Sequence, residues 1–153
     1  EQIAAITDAM LAQYRPNVVT LEIGTNDLNQ GYQISTAPDR LHALIDRITA
    51  AAPDATVLVG TVIVSTSSTE ENYRAAFNQA IPGIVQAEQN AGRHVALVDM
   101  GALKASDLSD SLHPNDGGYQ KMADAFNRGV QTADSAGWLG APVNAAGSVR
   151  SGR

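Results

Sequence analysis

Asp110 and His113 stand three residues apart in DLSDSLHPNDGGYQKMA (residues 107 to 123), followed at once by Pro114 and Asn115. A carboxylate this close along a turn can hold one imidazole nitrogen. That fixes the tautomer and leaves the other nitrogen free as a general base. The stretch N-D-G-G then opens an amphipathic run whose helix start would anchor the loop. An isolated D-x-x-H is more often a solvated acid and a pre-proline spacer, so position has to decide. Asn26, in GTND (Gly24 to Asp27), is the second candidate. Its amide is a neutral donor that could hold the oxyanion of an acyl-transfer intermediate without titrating. An Asx turn explains an asparagine in such a loop equally well.

Other groups carry less. His42 lies in a helical pattern beside arginines and reads as an exposed face residue; His94 begins a strand and reads as structural. Asp27, Asp99, Asp107 and Asp110 match no cation-loop spacing. The glycines form neither G-x-G-x-x-G after a strand nor a phosphate loop. Ser65 to Thr69 form a polar stretch better suited to capping a helix than to nucleophilic work.

The elements that must position these residues follow from periodicity. Ile3, Ile6, Met10 and Tyr14 mark the apolar stripe of a first helix ended by Pro16. VVTLEI (Val18 to Ile23) is a strand, and the polar loop TNDLNQGYQIST leads to a second helix with Pro38 in its first turn and Leu41, Leu44, Ile45 and Ile48 on its buried face. TVLVGTVIV (Thr56 to Val64) suits a parallel strand covered on both faces. Ser68 and Glu71 stand at capping-box spacing before a third helix with Tyr73, Phe77 and Ile81, which Pro82-Gly83 should kink or split. HVALVDM (His94 to Met100) is the third strand, and Tyr119, Met122, Phe126 and Val130 mark the last helix.

This alternation specifies an α/β fold, a parallel open sheet between helical layers. In such sheets ligands bind at the carboxyl ends of the strands. GTND follows the first strand directly and the Asp110–His113 loop follows the third, so both open on one edge. Residues 1–133 form the domain, and residues 134–153, rich in small residues, read as a linker or disordered tail.

The 153 residues suffice for one domain. A net charge of −6 argues against nucleic-acid and membrane-surface partners. No apolar run approaches the roughly 18 residues of a membrane span. With no cysteine, thiol nucleophiles, disulfides and thiolate metal sites are excluded.

Taken in order, IGTNDL and DLSDSLHPNDGGYQKMA resemble the third and fifth sequence blocks of the SGNH (GDSL) hydrolases, serine esterases and lipases of flavodoxin-like α/β/α fold. The resemblance runs from Glu1 to about Gln131. It implies Asn26 as an oxyanion-hole donor, His113 as the general base and Asp110 as the acid that orients it, with no cofactor or metal. The block carrying the nucleophilic serine in a GDS motif, and the one carrying an oxyanion-hole glycine, have no counterpart here and belong upstream. The expectation is therefore a domain truncated at its N-terminus, with about three strands, in which Val18 to Ile23 becomes a sheet edge.

The wording YRPNVVTLEIGTNDLNQG, APDRLHALIDRI and VDMGAL is similar to carbohydrate esterase family 3, acetyl xylan esterases that are mostly extracellular and modular. That resemblance implies a secreted enzyme taking an acetyl group from an acylated carbohydrate, with a further C-terminal module in the parent protein. A lipase, lysophospholipase or thioesterase of the same superfamily and a non-catalytic binding module that kept the scaffold remain alternatives.

Overall fold

The computed structural model describes residues 2–140 of the chain. Its elements, in order, are α1 (Gln2–Tyr14), β1 (Val18–Leu21), α2 (Thr25–Gln30), α3 (Ala37–Ala51), β2 (Thr56–Gly60), α4 (Ser68–Asn90), β3 (Val95–Val98) and α5 (Asp116–Ser135). The strands form a parallel sheet in the order β1–β2–β3, with Val19 opposite Val57 and Val57 opposite Val95.

β2 is central, and all five of its residues are buried. Its alternating side chains divide the interior. Val57 and Val59 join Leu21, Ile45, Phe77 and Ile81 in a core built with α1, α3 and α4. Leu58 joins Ala96, Val98 and Ala125 in a second core under α5. Three layers result, as the helix–strand alternation requires.

All three strands are shorter than their apolar runs. β2 stops at Gly60 because the backbone of Val62 is taken by a side chain: Asn78 of α4 accepts from its N–H at 2.9 Å and donates to its carbonyl at 2.9 Å. The register between β1 and β2 ends at Leu21 opposite Val59. The buried stripe of α3 lies where its period places it, with Leu41, Leu44, Ile45 and Ile48 at most 4 % exposed.

Other local expectations are corrected. α4 begins one residue early, with Ser67 rather than Ser68 as N-cap, accepting from the Glu70 N–H. Pro82 does not split α4, which runs unbroken from Ser68 to Asn90. Proline removes one N–H donor, and buried Ile81, Ile84 and Val85 hold both sides of it. The loop after Gly24 contains the short helix α2, whose Leu28 is fully buried and whose ends are glycines at φ 130° and 64°.

The apolar stripe of α1 faces outward: Ile3, Ile6, Met10 and Tyr14 are 45 to 63 % exposed. Thr7 and Leu11 are buried instead, and an Asp8–Arg47 ion pair at 2.7 Å fastens the helix to α3. α1 thus seats its smaller face on α3 and presents its apolar stripe outward.

At the other end, α5 extends to Ser135. Trp138 stacks on His94 with ring centroids 5.3 Å apart, and its carbonyl accepts from the Thr56 hydroxyl at 3.2 Å. The remainder of the expected tail, residues 141–153, lies outside the described residues.

Candidate active site

The segment after β3 turns through a 3₁₀ helix, Ala105–Asp107, and closes into a small loop before α5. Leu108 and Pro114 bridge across its neck, and Ser109 N–H donates to the His113 carbonyl at 2.8 Å. Below the neck, Asn115 N–H donates to the Asp107 carbonyl, and the Asp107 carboxylate receives Lys121 at 2.7 Å. The Asn115 side chain caps α5 by accepting from Gly118 N–H at 3.0 Å. Position 118 admits no side chain, since a Cβ there would lie 2.3 Å from the Asp107 carbonyl oxygen. The loop is therefore clamped to the first turn of α5.

Within it, Asp110 is fully engaged. Its Oδ1 accepts from the backbone N–H groups of Leu112 at 2.8 Å and His113 at 2.7 Å. Its Oδ2 lies 2.8 Å from His113 Nδ1. The two backbone donors, and then the imidazole, hold the Asp110 carboxyl down at about 2. A carboxylate only accepts, so Nδ1 carries the ring hydrogen and Nε2 is left as the basic nitrogen. The His113 side chain is 66 % exposed.

Asn26 occupies the first turn of α2 at the carboxyl end of β1, exposed, with no hydrogen-bond partner for its side chain among the described residues. Gly24 sets the start of this helix. At φ 130° it turns the chain, and an added Cβ would lie 2.9 Å from the Phe77 ring. Asp27 pairs with Arg40 at 2.7 Å, fixing α2 against α3. Asp110 and His113 are thus in direct contact. Asn26 touches neither and is linked to them through the stretch after β2: Ser67 Oγ donates to Asn29 Oδ1 at 2.6 Å, and Thr66 N–H donates to the Ser111 carbonyl at 2.9 Å.

The aspartates weighed as metal ligands are dispersed: Asp27 serves Arg40, Asp107 serves Lys121, and Asp99 receives the Gly101 N–H. A His42, Asp46 and Glu88 group does converge between α3 and α4. There His42 Nε2 lies 2.9 Å from Glu88, while Arg93 pairs with both Glu88 and Asp46. The guanidinium already fills the position a cation would take. His42 is therefore a member of an ion network and not a free face residue.

Two acids near the site escape sequence reasoning. Glu22, just past β1, packs its Cβ and Cγ within 3.3 Å of where a Cβ on Gly60 would stand, and Glu70 in the first turn of α4 is fully buried. Burial, reinforced by the charge of Glu70, pushes the Glu22 carboxyl up to about 7; burial also raises Glu70. Both oxygens of Glu70 and one of Glu22 lack hydrogen-bond partners among the described residues. The signal was present as a lone acid inside the apolar run VVTLEI.

Comparison with known proteins gives this geometry a context. A "Multidomain esterase" of Ruminococcus flavefaciens is 29 % identical over 119 residues, which cover 73 % of this chain and 15 % of that protein. The structure of a carbohydrate esterase family 3 protein from Talaromyces cellulolyticus superposes with a TM-score of 0.74 at 27 % identity, covering 88 % of this chain and 67 % of the other. An acetyl esterase variant crystallised with acetate superposes with a TM-score of 0.75 at 27 % identity, covering 88 % and 68 %. The chain thus spans a small part of the multidomain relative and about two-thirds of each of these structures. The model of the GDSL-like lipase/acylhydrolase family matches residues 2–121, a span holding the GTND stretch, the Asp110–His113 loop and all three strands, and the chain belongs to that family.

Proposed function

We propose that this chain is the base-bearing part of a serine esterase that removes an acetyl group from a carbohydrate. The observation that carries the reading is the 2.8 Å contact between Asp110 Oδ2 and His113 Nδ1, with Asp110 pinned by two backbone donors. In this reading a serine from a segment outside the chain attacks the ester carbonyl while His113 Nε2 takes its proton. Asn26 donates to the oxyanion of the tetrahedral intermediate. The protonated imidazole then returns the proton to the departing sugar oxygen. Water, deprotonated by the same nitrogen, releases acetate and restores the serine. Asp110 stays ionised throughout, as its lowered pKa favours, and stabilises the imidazolium. The acetyl and carbohydrate assignments rest on the esterases this chain resembles.

Support for a nucleophile outside the chain comes from the surfaces left open. β1 is a sheet edge, the apolar stripe of α1 faces outward, and among the described residues no serine hydroxyl contacts the His113 ring. That last observation also favours a second reading, a scaffold that binds without catalysis. An assay of the full-length gene product on acetylated xylan and on long-chain acyl esters separates the readings. Acetate release without long-chain hydrolysis is expected. Preference for long chains selects a lipase, and no turnover on either selects the binding scaffold.

A further inference from the structure

Three loops leave the carboxyl edge of the sheet, and the middle one holds the outer two. Ser65, 5 % exposed, is fixed from α4: its N–H donates to Glu71 Oε1 at 2.8 Å, and Glu71 is itself clasped by Arg74 at 2.6 and 2.7 Å. The Ser65 hydroxyl in turn accepts from Ser67 N–H at 2.8 Å. The backbone of this stretch is thereby set before it reaches either neighbour. From it, Ser67 Oγ donates to Asn29 of α2 at 2.6 Å while accepting from Glu70 N–H, which uses the hydroxyl as both donor and acceptor. One residue earlier, Thr66 N–H donates to the carbonyl of Ser111, the neighbour of Asp110.

We propose that Ser67 is a positioning residue that sets the distance between the oxyanion donor Asn26 and the base His113; this rests on the esterase reading above. The helix it grips is only six residues long. Asn29 stands one turn from Asn26 on the same face of α2, so fixing one orients the other. Without the Ser67 hydroxyl, α2 keeps its Asp27–Arg40 pair and its buried Leu28 but loses its tie toward the His113 loop. A displacement of about 1 Å between reacting groups suffices to cost up to roughly 10²-fold in rate. The loss falls on kcat, because Asn26 acts on the developing oxyanion and not on the bound ester.

The test uses the full-length gene product with a short acetyl ester. Ser67→Ala should lower kcat about 10-fold with KM changed less than about twofold, and Ser67→Thr, which keeps the hydroxyl, should restore most of it. Asn29→Ala should reproduce the loss, and the double variant should be no worse than either single one. In parallel, the Asn26 side-chain amide and His113 ring resonances of the same protein are compared by NMR. Ser67→Ala should shift both and Ser67→Thr neither. Additive losses, unchanged kcat, or resonances that stay in place in Ser67→Ala would overturn the proposal. The resonances are read whether or not the protein turns over. A wild type without esterase activity therefore overturns the esterase reading alone, and the NMR comparison still decides the role of Ser67.

Discussion

Asp110 meets His113 twice, through the backbone N–H on Oδ1 at 2.7 Å and through the ring Nδ1 on Oδ2 at 2.8 Å. The same carboxylate therefore shapes the loop and orients the imidazole. Asp110→Asn keeps an acceptor for the backbone but can turn an NH₂ group toward Nδ1, favouring the wrong tautomer. A kcat loss of about 10²- to 10⁴-fold with little loss of thermal stability is expected, measured by steady-state kinetics and thermal melts. Equal activity of Asp110→Asn and wild type would leave Asp110 a loop-shaping residue only.

The same contacts predict acid resistance of the loop. A carboxyl lowered from 3.8 to about 2 contributes stability that is present above its ordinary pKa and is lost as pH falls through about 2. The carboxyl resonance of Asp110 should therefore still report the ionised form at pH 3, where an ordinary aspartate is mostly protonated. A midpoint near 4 would contradict the hydrogen-bond geometry.

Asn26→Ala in the full-length protein should lower kcat about 10²-fold or more and leave KM much less affected. A change confined to KM would make Asn26 a substrate-binding or structural residue.

Glu22 predicts the opposite sign to Asp110. Its carboxyl is raised from 4.5 to about 7, so the folded state holds a proton that the unfolded state releases. Its contribution to stability is fully present below about 4.5 and is lost as pH rises through about 7. Glu22→Gln removes the titration and should raise stability at pH 8 relative to wild type by about 1 kcal/mol or more. Melting temperatures of the two proteins at pH 5 and pH 8 provide the check, and parallel pH dependences would refute a buried, protonated Glu22.

The exposed stripe of α1 makes a prediction about what the proposed full-length protein packs against it. In residues 1–153 alone, Ile6→Asp should change stability by less than about 0.5 kcal/mol and reduce self-association. In the full-length protein, where further chain is proposed to cover this face, the same substitution should cost roughly 2 kcal/mol or more. Equal effects in both would mean that α1 faces solvent in the whole protein.

What the sequence discloses follows the range of the interactions involved. Asp110 and His113 were legible because their contact spans three residues and a turn delivers it. The face of α3 was legible because a central sheet demands burial and the 3.6-residue period says which side provides it. For α1, periodicity goes only part of the way. It finds the apolar stripe but cannot tell whether an occupant lies opposite, and here Leu11 and Thr7 make the inward contacts. Strand ends were overextended because Asn78, sixteen residues from Val62, takes the backbone groups that would have continued the ladder. The packing of Trp138 on His94 is likewise a long-range fact with no local signature, and the burial of Glu22 shows only as a lone acid inside VVTLEI. Ser67 was visible only as one of several capping hydroxyls, since its partner Asn29 belongs to a different loop.

The most direct measurement of the central claim is acetate release by three proteins: the full-length gene product, its His113→Ala variant, and residues 1–153 alone. The account predicts turnover by the first, loss of nearly all of it in the second, and none by the third. Full-length activity untouched by His113→Ala would contradict the role of His113. Activity of residues 1–153 that disappears when His113→Ala is introduced would contradict an external nucleophile and place the serine within this chain.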